Sequence, residues 1–486
     1  MSATTASDPI TLVDDLRATV GAENLIHRRD ELLVYECDGY TIEKRVPDVV
    51  VFPTSRDHVV EIVNACRRHG VPFVPRGAGT SLAGGTLAVG GGVMICLTRM
   101  KRILEINLRD RYAVVEPGVV NVWLTRALAG TGFHYAPDPS SQGACTIGGN
   151  VATNSGGPHT LKYGVTVNHV LGLEIVLPDG SVLESGDLST RAAGGYDLTG
   201  LVVGNEGTFG IVTRVKVALT RDPEAGRTLL GVFDTVDAAA ETISQIIAAG
   251  IVPAALEMLD NLMIQAVEAA FHFGFPTDKG AVLIMEVDGL EVCLDREAAA
   301  ITRIAEAQGG AIAKCIAWRT RAEPEYVAIW KSRKSAFGAI GRLSPTFCTQ
   351  DGVVPRTKLP EILRFITEVG RRHGLRIANV FHAGDGNIHP ILLFDERDSH
   401  QVQNVLHASH EILDQCIALG GSVTGEHGIG VEKQSFMPKL FDECSLDAMA
   451  RIRLVFNPEG ICSPRKLLPD GAGCIERSKP GRMAGA

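Results

Sequence analysis

The sequence predicts an α+β chain whose first part cradles an extended ligand and whose second part packs helices on a mainly antiparallel sheet. Three observations carry this expectation. Glycine-rich stretches at 74–85, 136–164 and 204–212 are separated by short strand-like apolar runs. From Leu229 onward the glycine loops give way to regular strand and helix periodicities. Between the two regimes, Thr220 to Arg227 gathers charge, Pro223 and Gly226, the marks of a boundary. The expected division is 1–221, 222–430 and a closing segment, 431–486.

Composition narrows the class. A chain of 486 residues suggests two or three domains, and 45% hydrophobic with 21% charged residues is ordinary for a well-cored globular protein. A net charge of −9 without any Lys/Arg block argues against a nucleic-acid partner. The 11 cysteines are scattered with no C-x-x-C pair, which disfavours a disulfide framework, a zinc ribbon or an iron–sulfur cluster held by this chain. The expected compartment is a reducing cytoplasm. Met1 to Pro9 lacks the features of a signal peptide, and no apolar run approaches bilayer length, so no direct membrane insertion is expected.

In the first part, Val49-Val50-Val51-Phe52 reads as a buried strand closed by Pro53. Val59, Ile62, Val63 and Cys66 recur at helical spacing, with Ser55 placed to cap that helix and Gly70 to end it. Val71 to Val74 resumes the sheet and delivers Val74-Pro75-Arg76-Gly77-Ala78-Gly79-Thr80-Ser81-Leu82-Ala83-Gly84-Gly85. Glycine permits positive φ and close backbone approach, so successive N–H groups can converge on an anion such as a phosphate. Two familiar phosphate loops fail the comparison. Leu82 stands where a dinucleotide fingerprint needs glycine, and Gly85 where a Walker loop needs lysine. On its own the stretch is also compatible with a glycine turn that binds nothing.

Strand-like runs at Val93 to Leu97 and Tyr112 to Val115 follow, then a helix from about Asn121 to Leu128. The stretch from Ala136 to Gly164 is too long and particular for a linker, and its interleaved Ile147, Val151 and Ala152 argue for order. The third patch, Gly204 to Val212, runs into a strand ending at Leu219. Three such patches suit one long ligand better than a mononucleotide.

In the second part, strands are expected at Leu229 to Phe233, Ala255 to Met258, Ala281 to Val287, Ala311 to Ala317, Thr346 to Val354 and Arg376 to His382. Helices are expected near Val236 to Ala248, Asn261 to Phe271, Cys293 to Gln308, Pro324 to Ile340, Leu359 to His373 and Ser399 to Leu419. Near its end lie His382-Ala383-Gly384-Asp385-Gly386-Asn387-Ile388-His389 and Gly425-Glu426-His427-Gly428. Histidines bracketing a tight turn can return to one point, and a carboxylate from elsewhere completes a three-ligand set suited to zinc or manganese. Glu426 and His427 would point opposite ways on a straight strand, and Gly425 and Gly428 free the backbone to bring both to one site. Histidines in turns also occur without any metal. Trp330, Arg333 and Phe337 share a helix face, so Arg333 can lie beside an apolar stripe and clamp a carboxylate, or else belong to a solvated helix edge.

VPRGAGTSLAGG, APDPSSQG with TIGGNVATNSGG and KYG, and GNEGTFGIVT together resemble the FAD-binding domain of the vanillyl-alcohol oxidase/p-cresol methylhydroxylase superfamily. HAGDGNIH and GEHGIG resemble its D-2-hydroxy-acid dehydrogenase branch. The similarity runs from about Val34 to Pro469. It implies an FAD-binding domain of the p-cresol methylhydroxylase type, a ferredoxin-like α+β cap, and a C-terminal segment returning to the FAD domain. By the same resemblance, Pro75 and Arg76 to Ser81 (Arg76, Gly77, Ala78, Gly79, Thr80, Ser81), with Gly84, wrap the FAD pyrophosphate. Pro137, Asp138, Ser141, Thr146, Gly148, Gly149, Asn154 and Gly156 line the flavin and its ribityl chain. Glu206, Gly210, Ile211 and Val212 hold the adenosine end. It further implies that His382, His389 and Glu426 bind a divalent metal, that His427 is the base and that Arg333 grips the substrate carboxylate.

Three departures shape the expectation. Thr80 stands where members with covalent flavin often carry histidine, which predicts dissociable FAD. Phe337, Thr349 and Ile391 stand where relatives preferring D-2-hydroxyglutarate carry polar residues, which favours a small monocarboxylate such as glycolate or D-lactate. Ser463-Pro464-Arg465-Lys466 replaces the family's closing Asn-Pro-Gly-Lys, so the contact assigned to that Asn is lost. The expected reaction is hydride transfer from a 2-hydroxy acid to the flavin, giving a 2-oxo acid. The partners expected are the substrate, an iron–sulfur or other electron-transfer subunit that could hold the protein at the inner membrane, and a second copy of the chain in a homodimer. A D-2-hydroxyglutarate dehydrogenase, a metal-dependent hydrolase and a non-catalytic flavin carrier are the competing readings.

Overall fold

The computed structural model describes residues 11–186 and 195–469. The first glycine stretch is delivered by a small α/β unit. Strands Val49–Val51, Val93–Cys96 and Phe73–Arg76 lie parallel, with Leu25–Ile26 antiparallel at one edge. Helix Arg56–His69 makes the crossover. Ser55 Oγ accepts from the His58 N–H at its start, and Gly70 ends it at φ 64°, where a side chain would be strained. Val59, Ile62, Val63 and Cys66 are fully buried against Val49, Val51, Phe73 and Ile95. A second, antiparallel sheet runs Ile103–Asn107, Tyr112–Val115, Ile211–Ala218, Val170–Val176, Val182–Ser185.

The second half opens with a β-α-β-β-α-β unit: Ala225–Phe233, Val236–Ala248, Ala255–Asp260, Ala281–Gly289, Glu291–Ala307, Ala311–Trp318. Its strands lie in the order fourth, first, third, second, all antiparallel, which is the ferredoxin-like arrangement. Strands Arg376–His382, Asn387–Phe394, Thr346–Thr349 and Gly352–Val353 extend that sheet. Both faces are covered. Leu229, Met258, Leu283 and Phe381 point to one core with the helices Val236–Ala248, Glu291–Ala307, Leu359–His373 and Ser399–Ala418. Their strand neighbours Leu230, Leu259, Ile284 and Val380 point to the other, under Asn261–Phe271, Pro324–Lys334 and Ala336–Ile340.

The last described segment crosses back to the first half. The Phe73 N–H donates to Ile461 O, the Ser463 N–H donates to Phe73 O, and Phe456 stacks on Phe209 at 4.6 Å. Lys466 Nζ donates to Gly85 O at 2.7 Å.

Three of the expected elements take a different form. The 136–164 stretch, read as an ordered loop, contains the helix Ile147–Thr153 and a turn of helix, Thr160–Tyr163. The helix hides behind Gly148 and Gly149, but a Cβ on Gly148 would lie 2.5 Å from Pro117, so glycine is a packing requirement there. Thr346 to Val354 is interrupted at Gln350 and Asp351, where Asp351 turns its carboxylate to another loop. Pro324 to Ile340 is two helices meeting at Ser335, not one.

Candidate active site between the two halves

A cleft of about 410 Å³ runs between the glycine stretches and the second half. Pro75, Arg76, Gly77, Ala78, Gly79, Thr80 and Ser81 line it from the first stretch, Ser141, Thr146, Gly148 and Gly149 from the second, and Glu206, Gly210 and Val212 from the third. His382, His389, Glu426 and His427 close one end, with Lys334, Phe337 and Phe347. The glycines are there for space. A Cβ on Gly77 would sit 2.5 Å from Thr146 Oγ1, and one on Gly79 (φ 73°) would collide with the Arg76 guanidinium. Arg76 itself donates to Cys37 O at 3.0 Å and Thr86 Oγ1 at 2.9 Å, so it braces the loop. Ser81 Oγ is buried without a partner among the described residues, as a donor awaiting a ligand oxygen would be.

Seven expected site residues do not line this cleft. Gly84 packs on Val431 and Tyr40, and Pro137 O accepts from Asn121. Asn154 caps its helix at φ 51° and its side chain accepts from the Val167 N–H. Ile211 is a core residue paired with Val176. Asp138 faces His159 and Lys334. Gly156 lies behind the metal-site carboxylate, its Cβ position 3.0 Å from Glu426 Oε2. Arg333 is described below. Glu206 does line the cleft, yet its two oxygens accept from the Ile429 and Gly430 N–H groups at 2.7 and 2.6 Å. Its carboxylate is therefore committed to the 428–430 turn.

The histidine end arises from one sheet face. His382 ends its strand, residues 383–386 make the turn, and Asn387 starts the return strand, pairing His382 with Asn387 and Val380 with His389. Side chains alternate along a strand, so His382 and His389 emerge on the same face, with ring centroids 5.0 Å apart. Glu426 Oε1 lies 3.1 Å from His382 Nε2, 3.3 Å from His389 Nε2 and 4.0 Å from His427 Nε2, while Oε2 has no partner among the described residues. His427 stacks on His389 at 4.9 Å. Asp351 fixes the strand-free Thr424–His427 turn: its Oδ2 accepts from Thr424 Oγ1 and from the N–H groups of Gly425, Glu426 and His427, at 2.6–3.1 Å.

Burial favours neutral forms throughout this end, and the outcome depends on neighbours. Burial works against charge on His382, but Glu257 and Glu426 outweigh it and hold the imidazole well above its ordinary range. Burial works against Glu426 as a carboxylate, but His382 and His389 pull it well below. His427 goes the other way. Burial dominates and pushes it down to about 4, so it is neutral at pH 7.

Arg333, expected either on a solvated edge or beside the stripe, is fully buried. Its Nε donates to Glu257 Oε2 at 2.5 Å, while Nη1 and Nη2 have no partner among the described residues. Glu257 pairs across the strands with His382 and takes its Nδ1 at 2.8 Å. Sequence reading missed Glu257, Asp351, Lys334 and Phe347. The signal for Glu257 was a lone acid in the apolar run Ala255-Leu256-Glu257-Met258-Leu259.

Two family models match the chain: FAD binding domain over residues 47–186, and FAD linked oxidases, C-terminal domain, over residues 222–467. The glycolate oxidase subunit GlcD of Escherichia coli is 40% identical over 469 residues, 96% of this chain and 93% of that one. The chain belongs to the FAD-linked oxidases. GlcD of Bacillus subtilis is 39% identical, covering 93% of this chain and 95% of its own. The mitochondrial D-lactate dehydrogenase [cytochrome] of Arabidopsis thaliana is 31% identical, covering 95% and 80%. Among solved structures, p-cresol methylhydroxylase with substrate bound aligns with TM-score 0.79 at 16% identity over 94% of this chain and 96% of its own. The 4-ethylphenol oxidase from Gulosibacter chungangensis aligns with TM-score 0.77 at 19% identity over 96% and 99%. This FAD-linked oxidase is thus a flavoprotein oxidoreductase with the p-cresol methylhydroxylase fold, as the glycine stretches implied. Among its described residues no helix is long and apolar enough to cross a membrane.

Proposed function

We propose that this oxidase converts a small 2-hydroxy acid, glycolate first and D-lactate second, to the 2-oxo acid. One observation carries the reading: the glycine-lined cleft and the His382/His389/Glu426/His427 cluster are walls of one cavity. The names of the similar proteins support the substrate class. The residues also suit a divalent metal, zinc or manganese. Two imidazole nitrogens and a carboxylate oxygen lie within 4.8 Å of one another, and Glu426 Oε2 is buried without a partner among the described residues.

When bound, FAD supplies the two-electron acceptor, and the metal a positive charge that favours ionisation of the α-hydroxyl. His427, neutral at pH 7, takes the hydroxyl proton. Lys334 lines the cleft and is the cation that meets the substrate carboxylate there; Arg333, buried beside it with Nη1 and Nη2 without a partner among the described residues, is the second cation we assign to that carboxylate. Phe337 and Phe347 give the cleft an apolar wall, which suits a two- or three-carbon acid better than one with a distal second carboxylate. Ile391 is a core residue, and of the three positions distinguishing dicarboxylate users only Phe337 reaches the cleft.

Anaerobic addition of glycolate, D-lactate, L-lactate or D-2-hydroxyglutarate tests this. Glycolate or D-lactate should bleach the flavin, and His427→Ala should keep FAD yet not bleach. A colourless protein, or bleaching by D-2-hydroxyglutarate alone, would reject the assignment. With Thr80 in the first stretch, acid precipitation should release FAD into the supernatant. Flavin remaining on the pellet would indicate a covalent bond. The reduced flavin needs an outlet, and the word subunit in the GlcD names supports a separate electron-transfer partner. Co-purification from a cytoplasmic or peripheral-membrane fraction tests that partner, and its absence together with fast reoxidation by O₂ would count against it.

A further inference from the structure

The second half places four polar side chains in a row on the sheet face beneath the helix Pro324–Lys334. Glu286 and Glu257 come from neighbouring strands, followed by His382 and His389. Glu286 is satisfied by Thr228, Trp330 and His159. Glu257 is arranged differently. It is fully buried, and its two oxygens divide between two different functional groups: Oε2 takes Arg333 Nε at 2.5 Å and Oε1 faces His382 Nδ1 at 2.8 Å. A buried carboxylate flanked by two cationic or donor groups stays ionised and accepts from both. With Nδ1 committed to Glu257, the nitrogen of His382 that faces the point shared with His389 and Glu426 is Nε2. The same contact fixes Arg333 through Nε and leaves both terminal amino groups without a partner among the described residues.

We propose that Glu257 is a positioning residue that couples metal binding to substrate binding. Through one oxygen it sets the metal-ligating tautomer of His382, and through the other it sets the aim of Arg333 toward the substrate carboxylate. Lys334, the next residue, is anchored by Asp138 on the opposite half at 3.0 Å, so Arg333 is the cation whose direction Glu257 alone determines among the described residues. A glutamine in its place could accept from one neighbour only, because its amide nitrogen would face the other donor. The inference rests on the metal reading of His382, His389 and Glu426 given above.

The test uses the FAD-loaded full chain stripped of metal, with Mn²⁺ binding followed by the EPR signal of free Mn²⁺. Oxalate, an unreactive two-carbon dicarboxylate, serves as a probe for the carboxylate subsite through flavin spectral perturbation. Glu257→Gln should weaken Mn²⁺ about 10–100-fold, the usual cost of losing a carboxylate behind a ligating histidine, and should weaken oxalate as well. Glu257→Asp keeps the charge, and should recover part of both affinities. If Glu257→Gln does not retain flavin, Glu257→Asp and the double variant Glu257→Gln/Arg333→Met carry the measurement. The double variant should still bind Mn²⁺ more weakly than Arg333→Met alone. Unchanged Mn²⁺ affinity in these variants, with wild type binding normally, would overturn this proposal alone. Wild type that binds neither Mn²⁺ nor Zn²⁺ would overturn the metal reading and this proposal together.

Discussion

Asp351 shows how one side chain can shape a site without entering it. Four donors of the Thr424–His427 turn converge on a single oxygen, and Lys433 lies 3.8 Å from the same atom with both residues fully buried. Burial opposes its charge, but His427 and Lys433 hold the carboxyl well below the usual carboxylate range. Asp351→Asn would leave the Lys433 ammonium buried without its countercharge. The expected loss is about 3 kcal/mol of stability, read as a lower urea midpoint. Because the turn carries Glu426 and His427, the variant should also lose bleaching by glycolate while keeping its yellow colour. A wild-type midpoint with intact bleaching would show that the turn holds itself. None of this was readable from Gln350-Asp351-Gly352, since the four partners are more than seventy residues away in sequence.

At the scale of elements, what was legible followed from short-range physics. The helix Arg56–His69 was readable from its cap, its apolar spacing and Gly70, and so were Val236–Ala248, Asn261–Phe271 and Leu359–His373. The metal-site histidines were legible because the turn between them lies within one hairpin. What stayed hidden depends on tertiary contact. The helix Ile147–Thr153 owes Gly148 to the approach of Pro117, and the strand Asn387–Phe394 is buried at all eight positions, with no polar alternation to mark it. Two glycines separate these causes experimentally. Gly374 and Gly430 both have positive φ, 65° and 54°, but a Cβ on Gly374 meets nothing within 4 Å, whereas one on Gly430 would run into Ala83 O. Gly374→Ala should cost about 1 kcal/mol, the strain of the conformation alone. Gly430→Ala should cost about 3 kcal/mol, because the clash adds overpacking and disturbs the N–H held by Glu206. Thermal melts of the two variants give the comparison, and equal shifts would mean that the turn at Gly430 yields without cost.

Across the whole molecule, a chain of ionisable groups joins the two halves beside the cleft. His159, from the second glycine stretch, sits between Asp138 of its own half and Glu286 of the sheet, with Nδ1 2.9 Å from the first and Nε2 3.3 Å from the second. Trp330 packs on its ring at 4.8 Å, and Lys334 reaches Asp138 from the same helix. Alongside, Lys162 and Arg321 meet Asp288, which also accepts from the Tyr163 hydroxyl. Burial opposes a charged imidazole and Arg321 adds repulsion, but Asp138 and Glu286 prevail and raise His159 to about 9. The sign of the linkage follows. A histidine whose folded value lies above its ordinary 6.5 contributes stability that is complete below pH 6.5 and is lost as pH rises through 9. The difference between those two values corresponds to about 3 kcal/mol at about 1.4 kcal/mol per unit. The wild type should therefore lose about that much stability, relative to His159→Gln, between about pH 6 and about pH 9.5, as read from denaturant midpoints at a series of pH values. The variant cannot titrate at this position, so other groups cancel in the difference. A difference that stays flat across this range would mean that His159 is neutral in the seam and that the two halves are held by the Asp288 cluster instead.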